Sequence, residues 1–128
     1  MDNLIKSEIL NGTYEADKIQ LFGITHFKYC DCRNNDLVRL SEDATVHQKC
    51  ADAFSKMQID AIKDGIKLEI ISGFRSQKEQ IEVFSRKFKD KTSPTDEEMN
   101  ARLMFSAPSG FSEHHTGLAI DINSLEQD

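Results

Sequence analysis

Ten residues near the end of this 128-residue chain, S-E-H-H-T-G-L-A-I-D at 112–121, bring two imidazoles and a carboxylate close together along the sequence. His114 and Asp121 are residue types that zinc accepts at about 2.0–2.2 Å. A turn through Thr116 and Gly117 can carry both to one point. His115 is the neighbouring candidate, although consecutive side chains seldom aim at one ion. If 117–122 runs as a strand, Leu118, Ile120 and Ile122 share a core face, while Gly117, Ala119 and Asp121 share the other. That second face clears space with two tiny residues and then sets a charge beside it, as a site for a bound ion does. The plainer alternative is a surface loop that carries both histidines, with Asp121 capping or pairing locally.

A second stretch, S-G-F-R-S-Q-K-E-Q at 72–80, places Arg75 between the end of a strand and the start of a helix, where connections commonly carry function. Its planar fork suits a carboxylate. The alternative is an exposed arginine at a helix start, mildly unfavourable for the helix dipole.

The elements that must position these groups are legible from periodicity and capping signals. A helix is expected over 46–64, capped by a T-x-x-Q box of Thr45 and Gln48 and ended by Gly65. Its apolar stripe is Val46, Cys50, Ala53, Phe54, Met57 and Ala61. The β-branched run at 67–72 reads as a strand that Gly73 breaks. Ser76 and Glu79 form a capping box for a second helix, with Ile81, Phe84 and Phe88 inward. Ser93-Pro94 announces a third, a cap followed by proline, burying Met99 and Leu103. Residues 106–117 read as loop and 117–122 as a second strand. The order helix, strand, helix, helix, strand is an α+β pattern. Residues 1–44, with apolar islands at 19–22 and 37–40, read as an irregular arm ahead of one domain over 45–128.

Length and charge bound the rest. The chain suits a single modest core, its mean hydropathy is negative, and its formal charge of −6 argues against a nucleic-acid partner. The basic cluster Arg86, Lys87, Lys89, Lys91 is diluted by Asp90 and followed by Asp96, Glu97 and Glu98, so it reads as a solvated helix face. No run approaches the ~18 apolar residues of a membrane span. No secretory signal is present as written, which points to the cytoplasm by default unless a leader lies outside this chain. Cys30, Cys32 and Cys50 cannot all pair within one chain. Cys30 and Cys32 stand too close for a zinc knuckle and have no second pair, so all three read as buried or incidental thiols.

Taken together, the two stretches resemble the zinc D-alanyl-D-alanine carboxypeptidases and D,D-dipeptidases, the family that includes the vancomycin-resistance peptidases. The family pattern S-x-H-x-x-G-x-A-x-D is matched by Ser112, His114, Gly117, Ala119 and Asp121. Its S-G-[YF]-R-S segment, with a glutamine four residues beyond, is matched by Ser72 to Ser76 and Gln80. The resemblance covers roughly residues 45–124. It implies a hedgehog- or D,D-peptidase-like fold, a small antiparallel sheet flanked by helices. It implies Zn2+ as cofactor, with His114 and Asp121 as two of three ligands. Arg75 would bind substrate and stabilise charge on the carbonyl under attack. Ser112 and Gln80 would help hold the terminal carboxylate of a peptidoglycan-derived peptide ending in D-Ala. Zinc in such enzymes polarises the scissile carbonyl and activates a water. A peptidoglycan substrate implies the cell envelope.

The chain also departs from the family, which finishes its site with an E-x-x-H or E-x-W-H element supplying the general base and third ligand. Nothing in residues 123–128 matches it, and His26 and His47 do not fit that motif. The expectation is therefore a C-terminally incomplete member, its final strands missing and its activity impaired. An open sheet edge would then be available for self-association or a separate piece. The competing expectation is a non-catalytic module that holds a peptide carboxylate or a partner on the same fold.

Overall fold

Capping chemistry and turn glycines decide where the elements begin and end. The computed structural model describes residues 2–13 and 28–126. The apolar island at 19–22 and His26 lie outside the described residues. The chain divides into two units, Met1–Cys30 with Ser76–Ser112, and Asp31–Arg75 with Glu113–Asp128.

The first unit is helical. Helix α1 (Asn3–Asn11) starts at Asp2, whose Oδ1 accepts the Leu4 N–H at 2.7 Å, and ends on Gly12 in the left-handed region at φ 72°. The stretch expected as an irregular arm thus carries a capped helix, which sequence reading passed over because its apolar periodicity is short. From the later part of the chain come two more helices. They are numbered α3 (Gln77–Ser85) and α4 (Asp96–Phe105), since α2 belongs to the second unit. The expected Ser76–Glu79 box is present. The expected Ser93-Pro94 start is not: Thr95 caps α4, and Glu98 returns the bond to Thr95. Ile9, Phe84, Phe88, Met99, Leu103 and Phe111 form the core of this unit. The rings of Phe84 and Phe88 meet edge to face at 5.8 Å. Arg102 ties the end of α3, donating to the carbonyls of Val83 at 2.8 Å and Phe84 at 2.9 Å. The basic cluster 86–91 falls beyond α3 rather than on a helix face, and Lys91 pairs with Glu82 at 3.1 Å.

The second unit holds the strands and α2 (Gln48–Lys63). A hairpin joins β1 (Leu37–Ser41) to β2 (Ala44–His47), antiparallel, with Val38 opposite Val46 and Arg39 opposite Thr45. Thr45 therefore lies in a strand and does not cap α2; His47 does, its Nδ1 accepting the Lys49 N–H at 3.0 Å. The buried stripe of α2 is narrower than expected. Phe54 is buried and Cys50 and Ala61 half-buried, whereas Ala53 and Met57 are exposed. Gly65 closes the helix at φ 78° and leads into β3 (Ile66–Ser72). Gln58, on α2, donates its amide to the Leu68 carbonyl of β3 at 3.1 Å.

Strand β4 (Asp121–Glu126) pairs antiparallel with β3, Ile70 opposite Ile122 and Ser72 opposite Asp121. The register shifts between Ile70 and Ser72, so Ile71 is the extra residue of a bulge. The strand expected at 117–122 begins four residues late. Gly117 sits at φ 72°, outside the strand region, and its carbonyl is taken by the His47 N–H at 2.9 Å. Leu118 and Ile122, assigned to a core face, are exposed, and Ile120 is half-buried. The architecture is α+β, with two small antiparallel sheets among the described residues.

Candidate active site

The site grows from three short segments of the second unit. Gly73 directly follows β3, and a Cβ there would meet the Thr45 carbonyl oxygen at 2.5 Å and Val46 Cγ1 at 2.8 Å. Only glycine lets the chain pass so close to β2, and the Phe74 N–H then bonds the Thr45 carbonyl at 2.6 Å. A 3-10 turn, Glu113–Thr116, presents the histidines. Strand β4 presents Asp121 at its first position, opposite Ser72 across the bulge.

His114 Nδ1 lies 2.7 Å from the Gly73 carbonyl oxygen. A carbonyl only accepts, so Nδ1 carries the hydrogen and Nε2 bears the lone pair in the neutral ring. Nε2 stands 3.4 Å from Asp121 Oδ2. Two donors each about 2.1 Å from a tetrahedral ion are about 3.4 Å apart, so the pair is spaced as adjacent zinc ligands are. A backbone carbonyl behind the imidazole is the usual support for a metal-binding histidine. His114 and Asp121 thus fit a zinc ion in donor type, tautomer and separation. No group of three or more His, Cys, Asp or Glu able to hold a metal forms among the described residues.

Arg75 joins them. Its Nη2 donates to Ser72 Oγ at 2.8 Å and lies 3.9 Å from Asp121 Oδ2. The side chains of His114 and Arg75 are 15% and 18% exposed, that of Asp121 58%, so the carboxylate forms the solvent-facing side of the cluster. The structure therefore brings together His114, Asp121 and Arg75. His115 does not join the pair: its ring is fully buried, with Nδ1 2.7 Å from the Arg75 carbonyl oxygen. Gln80 and Ser112 belong to the first unit, where both are buried and Gln80 Nε2 donates to the Ala107 carbonyl at 2.6 Å.

Sequence reasoning missed two supports. Ser72, matched by the motif with no role implied, holds the arginine; a hydroxyl three residues before a charged fork is the available signal. His47 caps α2 and anchors Gly117, a role its position just before a helical pattern could have shown. The three thiols are free, Cys30 exposed and Cys32 and Cys50 only half-buried rather than buried. Burial pushes the Cys32 and Cys50 thiols above their ordinary value, with Asp36 adding to the effect on Cys32.

Residues 43–128 match the family model of VanY, D-alanyl-D-alanine carboxypeptidase. A D-alanyl-D-alanine carboxypeptidase of Enterococcus faecium is 28% identical over 121 residues, which is 94% of this chain and 30% of the relative. Among solved structures, a glutamate-to-alanine variant of the vancomycin resistance D,D-pentapeptidase VanY from a VanB-type cassette, in complex with Zn(II), superposes with a TM-score of 0.61. It is 26% identical, over 75% of this chain and 60% of that one. VanYB in complex with D-alanine-D-alanine gives a TM-score of 0.60 at 27% identity, over 73% of this chain and 52% of that one. The chain thus spans about a third of the curated relative's length and little more than half of the solved ones. On a family match that covers two of every three residues, including those of the cluster just described, this chain belongs to the VanY D-alanyl-D-alanine carboxypeptidase family.

Proposed function

We propose that the chain carries the zinc-binding part of a D-alanyl-D-alanine peptidase site that acts on peptidoglycan stem peptides, at the cell envelope. The observation that carries this reading is the 3.4 Å between His114 Nε2 and Asp121 Oδ2, with Nδ1 held on the Gly73 carbonyl. His114 and Asp121 are the proposed metal ligands. Bound zinc supplies Lewis acidity toward the scissile carbonyl and a water of lowered pKa. Arg75 is the proposed catalytic and substrate-binding cation: its guanidinium, braced by Ser72, is placed to meet negative charge on the peptide. Ser112 and Gln80 are proposed, from the family pattern, to help hold the terminal carboxylate. The support for a D-Ala-ending ligand is the solved relative that holds D-alanine-D-alanine.

A third ligand and a general base beside His114 and Asp121 are expected to tighten zinc binding and raise turnover. Metal analysis after zinc loading, with assay of D-Ala release from a peptide ending in D-Ala-D-Ala, tests the reading. The expected result is zinc bound by the native chain and lost in both His114→Ala and Asp121→Ala. Zinc retained by both variants ends the proposal. Peptide bound without cleavage moves the assignment to a non-catalytic peptide-carboxylate module.

A further inference from the structure

The main chain of Arg75 offers one donor and one acceptor, and consecutive histidines take both. The Arg75 N–H donates to the His114 carbonyl at 3.0 Å. The Arg75 carbonyl lies 2.7 Å from His115 Nδ1 and, being an acceptor only, makes that nitrogen the donor. With the bond from His114 Nδ1 to the Gly73 carbonyl, three hydrogen bonds join residues 73–75 to 114–115. Arg75 lies three residues beyond the end of β3 and before α3 begins, outside any sheet ladder or helical turn. The N–H end of the Arg75–Ser76 peptide bonds Glu79 Oε1 at 3.2 Å in the α3 capping box, and the histidine pair takes the Arg75 carbonyl and N–H.

We infer that His115 is a positioning residue for Arg75, fixing the arginine's main chain so that its guanidinium stands beside Asp121. The inference rests on the functional reading above. His115 suits this task because it is held from several sides. Its ring is fully buried, and its own carbonyl accepts the Cys32 N–H at 2.7 Å. Asp31 Oδ1 lies 3.7 Å from Nδ1, too far to compete with the Arg75 carbonyl for the ring hydrogen. A long side chain magnifies small changes at its root. A tilt of 10–20° in the Arg75 peptide moves the guanidinium by more than the ~0.5 Å that productive geometry tolerates. A buried apolar side chain at 115 would fill the volume without supplying the bond, and that separates positioning from simple packing.

The test compares His115→Leu, which keeps bulk and removes the donor, with His115→Asn, whose amide N–H lies near the Nδ1 position. Two readouts are taken on the zinc-loaded full chain: the Nε–H NMR signal of Arg75, assigned with Arg75→Lys, and the affinity for N-acetyl-D-Ala-D-Ala. In His115→Leu the Arg75 signal is expected to move toward that of a free arginine and peptide affinity to fall about 10-fold. His115→Asn is expected to recover most of both, and His115→Leu to add little in an Arg75→Lys background. Equal behaviour of the leucine and asparagine variants, or losses that multiply in the double variant, overturns the inference. If the native chain binds no peptide, the functional reading falls, while the Arg75 signal still decides the positioning role. If His115→Leu does not fold, the ring nitrogen shifts of the native protein decide. Nδ1 protonation is expected, and an Nε2–H tautomer at His115 overturns the inference.

Discussion

Within each of the two units, a different kind of bond sets the structure. In the helical unit an apolar core carries the packing: Phe84 meets Phe88, Met99 and Leu103 are buried with Ile9 and Phe111, and capping boxes from side chain to backbone N–H close α3 and α4. In the unit that carries His114, Arg75 and Asp121, the decisive bonds run through backbone carbonyls. Gly73 holds one histidine, Arg75 accepts from the next, Thr45 binds Phe74, and Gly117 binds His47. Both units leave large apolar side chains exposed, Met104 and Phe105 in the helical one, Ile59, Ile71 and Leu118 in the other. The reactive groups sit on a scaffold whose geometry is set by main-chain hydrogen bonds, which are directional where apolar contacts are not.

The contrast is broken most strongly at Phe84. Its ring is almost wholly buried, and Phe84→Ala is expected to cost about 3–5 kcal/mol in denaturant unfolding. Zinc bound per folded molecule should not change. Gly73→Ala should do less to stability and more to the metal. The added methyl collides with the Thr45 carbonyl and Val46, an overpacking worth about 1–3 kcal/mol by thermal or denaturant melting. The displaced Gly73 carbonyl releases His114, for which zinc titration should show about 10–100-fold weaker binding. The smallest effect is expected at Glu98. Its carboxylate is held below the usual range, foremost by the backbone N–H of Lys89 and then by Thr95, and Asp96 is lowered by Lys6. Groups lowered in the folded state stabilise it above their unfolded values and lose that contribution as pH falls through the folded ones. The melting temperature should therefore drop on acidification below about pH 4.3, the ordinary glutamate value. Glu98→Gln should flatten that drop in a pH series of melts.

Sequence read this molecule unevenly, for physical reasons. The Ser76–Glu79 box was legible because both partners lie within one turn and nothing distant competes for them. Thr45 misled because the hairpin pairs it with Arg39 and the distant Phe74 N–H takes its carbonyl, leaving His47 to cap the helix. Ser93 misled for a nearer reason: Glu98 serves both Thr95 and the Lys89 N–H, which fixes the start of α4 two residues later. Alternation at 117–122 looked like strand, but Gly117 at positive φ and the bond from Leu118 N–H to Thr116 Oγ1 hold a turn there. At the candidate site the side-chain types His114, Asp121 and Arg75 could be named from the motif. Their carbonyl partners could not, since every residue carries a carbonyl and only the fold chooses which is used.

The amide that Gln58 extends to the Leu68 carbonyl bears on how this protein behaves at high concentration. A foreign strand extending the sheet along β3 past Leu68 would have to displace that side chain, so a backbone bond gained at this carbonyl replaces one already made. Removing the amide, as in Gln58→Leu, should make the chain more prone to fibrils without touching a residue that meets zinc or peptide.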